Sequence, residues 1–341
     1  MKPILHILSN PYGTVNTNNR IDPFSMLTWK FIHHMTARGW PCIHYSTPGS
    51  QVDCMQVPCL DEIVPDQETN VIRYNERAAH EIALRKQPGD MILCFYGAGN
   101  GQAALAHPDC KIIEPVVCYN TKAVFAEFRV FGSYAHMHMF YGERGMLMNP
   151  SSFDAMIPNA ITASEFDFSE HKDDYFLYFG RVIEHKGVQV AIQATEAAGK
   201  KLIIAGPGTL QSMGYLETPS HVTMMGLCDA DQRRQLMSGA RAILGPTIYV
   251  EPFGNMVAEG YMSGTPAITT DWGGFTDTVV QGVTGFRCRE FREFVQAIDQ
   301  IDRIDPHACR KWALDNYEDS VVHDKFDAYL EKIITKDFYR S

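Results

Sequence analysis

Short apolar runs alternate with amphipathic stretches along the whole chain. PILHIL (3–8) has the continuous apolar character of a buried strand, and the polar loop NPYGTVNTNNRIDP follows it. FSMLTWKFIHHMTARG (24–39) sets Phe24, Leu27, Phe31 and Met35 at three- and four-residue steps, which predicts a helix with one buried face, stopped by Gly39. Further strands are expected at PCIHY (41–45), DMILCFY (90–96) and KIIEPVV (111–117). The second half repeats the alternation: DYFLYFG and a helix from about 187, KLIIAG and a turn, ARAILGPT and a helix near 255–263, PAITT and a turn. Strand and helix in alternation mean parallel sheets with helices on both faces, an α/β fold. Two such series end to end predict two Rossmann-like domains, 1–157 and 175–318. The polar, aperiodic segment 158–174 is expected to link them.

Length and composition agree with that picture. A chain of 341 residues can bury two cores with a cleft between them, and 45% hydrophobic with 21% charged residues is the balance of a soluble globular protein. Nothing approaches the ~20-residue apolar run of a membrane span. The opening MKPILHILSNPYG has too short an apolar core for a signal peptide and is read as a first strand. The nine cysteines are odd in number and scattered, with no Cys-x-x-Cys pair, which argues against a disulfide framework or a zinc site and for a reducing, cytoplasmic setting. A formal net charge of −10 disfavours nucleic acid and anionic membranes as partners.

In such sheets ligands sit beyond the carboxyl ends of the strands, so the informative residues should follow strands. FGRVIEHKG (179–187) ends a strand at Phe179, turns at Gly180 and flanks a helix entry with Arg181 and Lys186. Two cations beside the positive end of a helix suit a diphosphate, although solvated loop charges would have the same spacing. KLIIAGPGTL (201–210) runs into Gly206 and Gly208, which would let a ligand approach the backbone or simply form a turn. The segment 249–286 carries most weight. Glu251 precedes a helix opened by Pro252, Phe253, Gly254 and Asn255, whose N–H groups can face an anion, and Glu259 stands in the otherwise apolar row Met256, Val257, Ala258. A carboxylate on the loop can accept hydrogen bonds from a sugar, and one inside the helix can take both hydroxyls of a ribose. The plainer alternative makes Glu251 a helix cap and Glu259 a surface residue.

FGR…HKG, the AGPG turn, EPFGNMVAEGYMSGTPAITTDWGG and GVTGF, in this order, resemble the signature of the family 4 retaining glycosyltransferases of GT-B fold over roughly 157–330. The resemblance implies that Arg181 and Lys186 bind the donor diphosphate, that Glu251 contacts the transferred sugar and that Glu259 holds the ribose. It also implies that the backbone from Phe253 to Met256, with Gly13, Gly180, Gly206 and Gly208, lines the donor site. The tail, about 319–341, resembles the family's last helix, which crosses back to the first domain. No cofactor is implied beyond a UDP-, GDP- or ADP-sugar as co-substrate, with a hydroxyl-bearing acceptor such as a glycan.

The chain departs from the family pattern in places. The first loop has Gly13 alone, without a glycine pair, and Asp277 stands where glutamate is usual. FRVFGSYAHMHMFYG (128–142) is read mainly as an aromatic-rich core helix, with Arg129, Tyr134, His136 and His138 as residues able to face a cleft and His138 as a catalytic candidate. GAGNGQA (97–103) has Gln102 where a dinucleotide fingerprint has its third glycine, so a strand-to-helix loop is expected there.

The expected chemistry is metal-independent transfer with retention, the cations stabilising the leaving phosphate and Glu251 positioning the sugar rather than acting as a base. Three other readings share parts of this design. A nucleotide-sugar epimerase would need an acid/base carboxylate pair in the first half, where none is clear. A viral-type DNA-base glucosyltransferase would need a basic first domain, yet residues 1–160 hold about 12 basic and 14 acidic side chains. A non-catalytic binding protein would have lost Glu251 or one of the cations, and all are present.

Overall fold

The computed structural model describes residues 2–17, 22–146, 148 and 151–336. The chain divides into two compact units, one made of residues 1–132, 139–160 and 322–341, the other of 133–138 and 161–321.

The first unit holds a seven-stranded, wholly parallel sheet. Its strands are β1 (Leu5–Leu8), β2 (Cys42–Ser46), β3 (Met55–Pro58), β4 (Met91–Cys94), β5 (Lys111–Glu114), β6 (Phe128–Phe131) and β7 (Asp154–Met156), in the order β3-β2-β1-β4-β5-β6-β7. The helices are α1 (Pro23–Ala37), α2 (Gln67–Ala83) and α3 (Gly101–Leu105), and α4 (Tyr134–Glu143) belongs to this unit from Met139 on. β1, β2 and β4 are buried along their whole length, which is why they read as unbroken apolar runs. α1 is capped by the Asp22 carboxylate, which accepts from Phe24 N, and it starts with Pro23, whose missing N–H costs nothing there. One face of the sheet packs on Phe31, Ile32 and Met35 of α1 and on Val322, Phe326 and Leu330 of the last helix.

The second unit has a six-stranded parallel sheet of β8 (Phe176–Phe179), β9 (Leu202–Ala205), β10 (Val222–Gly226), β11 (Ile243–Gly245), β12 (Ala267–Thr270) and β13 (Gly285–Cys288), ordered β10-β9-β8-β11-β12-β13. Its helices are α5 (Val188–Ala197), α6 (Ala230–Gly239), α7 (Asn255–Met262), α8 (Phe275–Thr278), α9 (Phe291–Gln300) and α10 (Pro306–Tyr317). The final helix α11 (Asp319–Thr335) belongs to the first unit from Val322 on. In both sheets the order reverses beside the first strand of the unit, and such reversals open a crevice at the strands' carboxyl ends.

One local expectation is corrected. Residues 128–142 are a strand and then a helix, because Phe128, Val130 and Phe131 extend the sheet before α4 begins at Tyr134. GAGNGQA does connect a strand to a helix, as a 3-10 turn over Gly97–Asn100 leading into α3, with Asn100 binding both Tyr96 N and the Ser9 carbonyl. All nine cysteines are free thiols, and Cys94 is fully buried in β4, with burial holding its thiol well above the ordinary range.

Candidate active site

The loops at the carboxyl ends of β8, β9 and β11 form one braced assembly in the second unit. Gly180 N donates to Ala205 O (2.8 Å) and Val182 N to Pro207 O (2.8 Å), so the loops after β8 and β9 run side by side. Gly206 makes this possible: a Cβ there would lie 2.0 Å from the Gly180 carbonyl oxygen, on a backbone with φ +141°. The packing of two loops by itself demands glycine at 206. Gly208 is similar, its Cβ position lying 2.8 Å from Val182 O, while a Cβ on Gly180 would meet nothing within 4 Å.

Lys186 leaves this assembly through a 3-10 turn that ends at Gly187, in the left-handed region, before α5 begins. Its ammonium donates to Glu251 Oε2 (2.7 Å) and to the Tyr249 hydroxyl, and Tyr249 in turn donates to the same Glu251 oxygen. The ammonium also lies 4.9 Å from the Tyr249 ring centroid. Tyr249 is held by Trp272 Nε1, which donates to its carbonyl (3.1 Å), and by the His185 ring edge-on at 5.3 Å. The side chains of Lys186 and Glu251 are 18% and 8% exposed, so the pair sits largely out of water. The Glu251 backbone is clamped as well: Gly274 N donates to its carbonyl (2.6 Å), and Cβ atoms on Gly273 or Gly274 would fall within 3 Å of Glu251 backbone atoms. Arg181 is exposed, and its carbonyl accepts from the buried Tyr178 hydroxyl (2.8 Å).

Past Glu251, Phe253 is buried edge-on to Tyr317 at 5.3 Å, and Gly254 opens α7 at φ +89°, where a Cβ would strike Phe275. Asn255 and Met256 are half-buried in the first turn. Glu259 stands on α7 with a side chain 14% exposed and accepts from Arg233 Nη1 (3.3 Å), so it is not a free surface charge. The segment 133–138 belongs to this unit: Ser133 Oγ donates to Pro252 O (2.6 Å) and Ala135 N to Asp277 Oδ2 (3.2 Å). His138 lies one turn further along α4, exposed and stacked on Tyr134 (6.1 Å), whereas His136 is buried.

Lys186, Glu251 and the start of α7 are therefore brought together, and His138 is carried on a segment tied to the same loop. Gly13 belongs to the first unit, after β1. The space its side chain would take is filled by Asp22 Oδ2, Asn10 Nδ2 and Ser25 Oγ within 3 Å. Tyr249 and Arg233 were not found from the sequence. Tyr249 is two residues from Glu251, and an aromatic two positions before a carboxylate is no signal by itself; Arg233 meets Glu259 only once α6 packs beside α7.

Comparison with known proteins adds a family. Residues 162–313 match the model of the glycosyl transferases group 1. A glycogen synthase of Mycobacterium tuberculosis is 32% identical over 147 residues, 39% of this chain and 35% of that protein. The chain thus spans about a third of the length of that curated relative. Among solved structures, the sucrose-phosphate synthase of Thermosynechococcus elongatus superposes over 98% of this chain and 100% of that one (TM-score 0.72, 14% identity). The Anabaena protein HepE, solved in complex with UDP-glucose, covers 96% and 99% (TM-score 0.69, 14% identity). At these identities the structures speak for the GT-B fold alone.

Proposed function

We propose that this chain, whose residues 162–313 match the group 1 glycosyl transferases and whose fold is GT-B, moves a sugar from a nucleoside-diphosphate sugar to a hydroxyl acceptor with retention of configuration. The observation that carries the proposal is the Lys186–Tyr249–Glu251 cluster at the head of α7, with the Arg181 guanidinium exposed two residues past the end of β8.

Breaking the bond between sugar and diphosphate develops negative charge on the leaving phosphate and positive charge on the sugar. Lys186 has three N–H donors that already serve Glu251 and Tyr249, and on this reading a phosphate oxygen joins or replaces those acceptors. Arg181 adds a fork that suits a diphosphate. Preorganised donors of this kind are worth about 3 kcal/mol each in the transition state, because they need not reorient as the charge appears. These cations can carry the leaving-group charge without a metal ion. Glu251, fixed by Lys186, Tyr249 and the Gly274 N–H, positions the sugar through its hydroxyls; the donor phosphate then takes the proton of the acceptor. Glu259 takes the ribose hydroxyls, and the N–H groups from Phe253 to Met256 take phosphate or sugar oxygens at the head of α7. His138 is assigned to the sugar side on the strength of its exposed ring and its anchored segment. The relatives named as glycogen synthases and the UDP-glucose complex of HepE favour a hexose donor and a glycan or glycoside acceptor.

A thermal-shift screen against UDP-, GDP-, ADP-, CMP- and dTDP-sugars tests the proposal. A ligand at about 100 times its Kd adds about 2.7 kcal/mol of stability, which reads as a rise of several degrees. One donor should stand out, and a flat profile across all five would sink the reading.

A further inference from the structure

Arg233 is held from three sides. It lies in the first turns of α6, whose start is fixed by a reciprocal cap: Gln232 N donates to Asp229 Oδ1 (2.8 Å) and Asp229 N to Gln232 Oε1 (3.0 Å). Its guanidinium splits between two carboxylates, Nη1 to Glu259 Oε1 (3.3 Å) and Nη2 to Glu165 Oε2 (3.0 Å). The Phe166 ring lies beneath at 4.9 Å and is itself buried. The side chains of Arg233, Glu165 and Glu259 are 21%, 19% and 14% exposed. The next residue behaves differently: Arg234 lies 3.9 Å from Asp167, whose side chain is 66% exposed, an arrangement that contributes little.

We propose that Arg233 is a positioning residue of the nucleotide site, fixing the Glu259 carboxylate for the ribose hydroxyls and so setting how strongly the site prefers ribo- over 2′-deoxyribonucleotides. The inference rests on the reading of Glu259 as the ribose ligand. One feature supports a holding role over a competing one. Glu165 and Phe166 tether the guanidinium independently of Glu259, so it does not depend on that carboxylate for its place. The Arg233 contact takes from Glu259 the freedom to swing. The rigid guanidinium fork is what allows one side chain to grip both partners at once, which a lysine ammonium does less well.

The test is calorimetric titration with nucleotide pairs that differ only in the 2′-hydroxyl: UDP and 2′-deoxy-UDP, GDP and 2′-deoxy-GDP, ADP and 2′-deoxy-ADP. The wild type, Arg233→Ala, Arg233→Lys and Glu259→Gln are compared, with circular dichroism to check folding. The wild type should prefer the ribo form of its nucleotide by on the order of tenfold or more, the worth of a hydrogen bond to a charged group. Arg233→Ala should weaken the ribo form and barely change the deoxy form, so that the ratio approaches one, and Arg233→Lys should recover part of it. A purely structural arginine would weaken both forms alike. If Glu259→Gln collapses the ratio while Arg233→Ala leaves it intact, or if Arg233→Ala tightens the ribo form, the positioning role is wrong and the ribose reading stands. If Glu259→Gln also leaves the ratio intact, the ribose reading fails and takes this inference with it. Should Arg233→Ala not fold, Glu165→Gln, which loosens the arginine from its far side, should lower the ratio in the same direction, and an unchanged ratio there overturns the proposal.

Discussion

The two sheets share a topology but not a chemistry at their carboxyl ends. In the second unit the loops after β8 and β11 meet through charge: Lys186 and Glu251 pair largely out of water, with Tyr249 between them. In the first unit the loops after β1 and β4 meet through aromatic edges. Tyr12 and Phe24 both approach Tyr96 edge-on, at 5.4 and 5.3 Å, and the two tyrosine hydroxyls touch. Beneath those rings the loops are fastened by neutral bonds, Asn100 Nδ2 to Ser9 O (2.9 Å) and Ser9 N to the Tyr74 hydroxyl (3.0 Å), with Asp22 as the carboxylate of the group. The same fold position thus carries two chemistries. Under the proposed function the cation–carboxylate assembly would take the diphosphate and hydroxyls of a donor, and the aromatic edges would take the apolar faces of a sugar or other bulky acceptor.

That contrast can be broken by experiment, and the largest effect should come from the charged side. On the proposed reading Lys186→Ala removes a phosphate ligand, and it breaks the ion pair with Glu251. Turnover at saturating donor should fall by about 10²–10³-fold in a steady-state assay, and unchanged turnover would remove the diphosphate assignment. On the aromatic side, Tyr12→Ala should raise the acceptor KM by roughly tenfold, in line with a lost ring contact, while leaving nucleotide binding by calorimetry as it was. A change in nucleotide affinity instead would erase the division of labour between the two units.

The smallest effect concerns Glu114, the buried carboxyl at the end of β5. Its Oε2 accepts from both Phe125 N (3.1 Å) and Ala126 N (3.0 Å), yet burial outweighs these bonds and raises its pKa. A raised acid pKa favours the protonated group in the folded state, so its contribution is fully present below the unfolded pKa and is lost as pH rises through the folded value. Glu114→Gln keeps an acceptor for both N–H groups without the charge. It should raise Tm by about 2–4 °C at pH 7.5 and make little difference near pH 4, as read by thermal unfolding at the two pH values. Equal shifts at both would show that the charge is not what the site resists.

Legibility in the sequence followed burial. Strands covered on both faces, such as β1, β4 and β8, are written as unbroken apolar runs and stand out. β3 does not, because it is an edge strand with three of its four residues exposed and a proline at its end. β6 was merged with α4 since both are rich in aromatic residues and only two residues separate them. At the candidate site, Arg181, Lys186 and Glu251 stand out because each lies in a contiguous motif beside a turn, and Glu259 because it interrupts an apolar row inside α7. Tyr249 and Arg233 act on those residues through packing, by stacking against Lys186 and by the approach of α6 to α7, and packing of that kind leaves no period in the sequence.

The mutual cover of Lys186 and Glu251 also constrains how this chain can drift. Each neutralises the other where water is scarce, so replacing either one alone disturbs a largely buried ion pair, a loss of a different order from that of an exposed pair. Single substitutions at 186 or 251 therefore lower the abundance of the folded chain, whatever they do to the proposed chemistry. A descendant in which that chemistry no longer mattered would still keep both residues until a change removed them together. In such a lineage the two positions would vary as one inherited character, and finding one without the other would be rarer than finding neither.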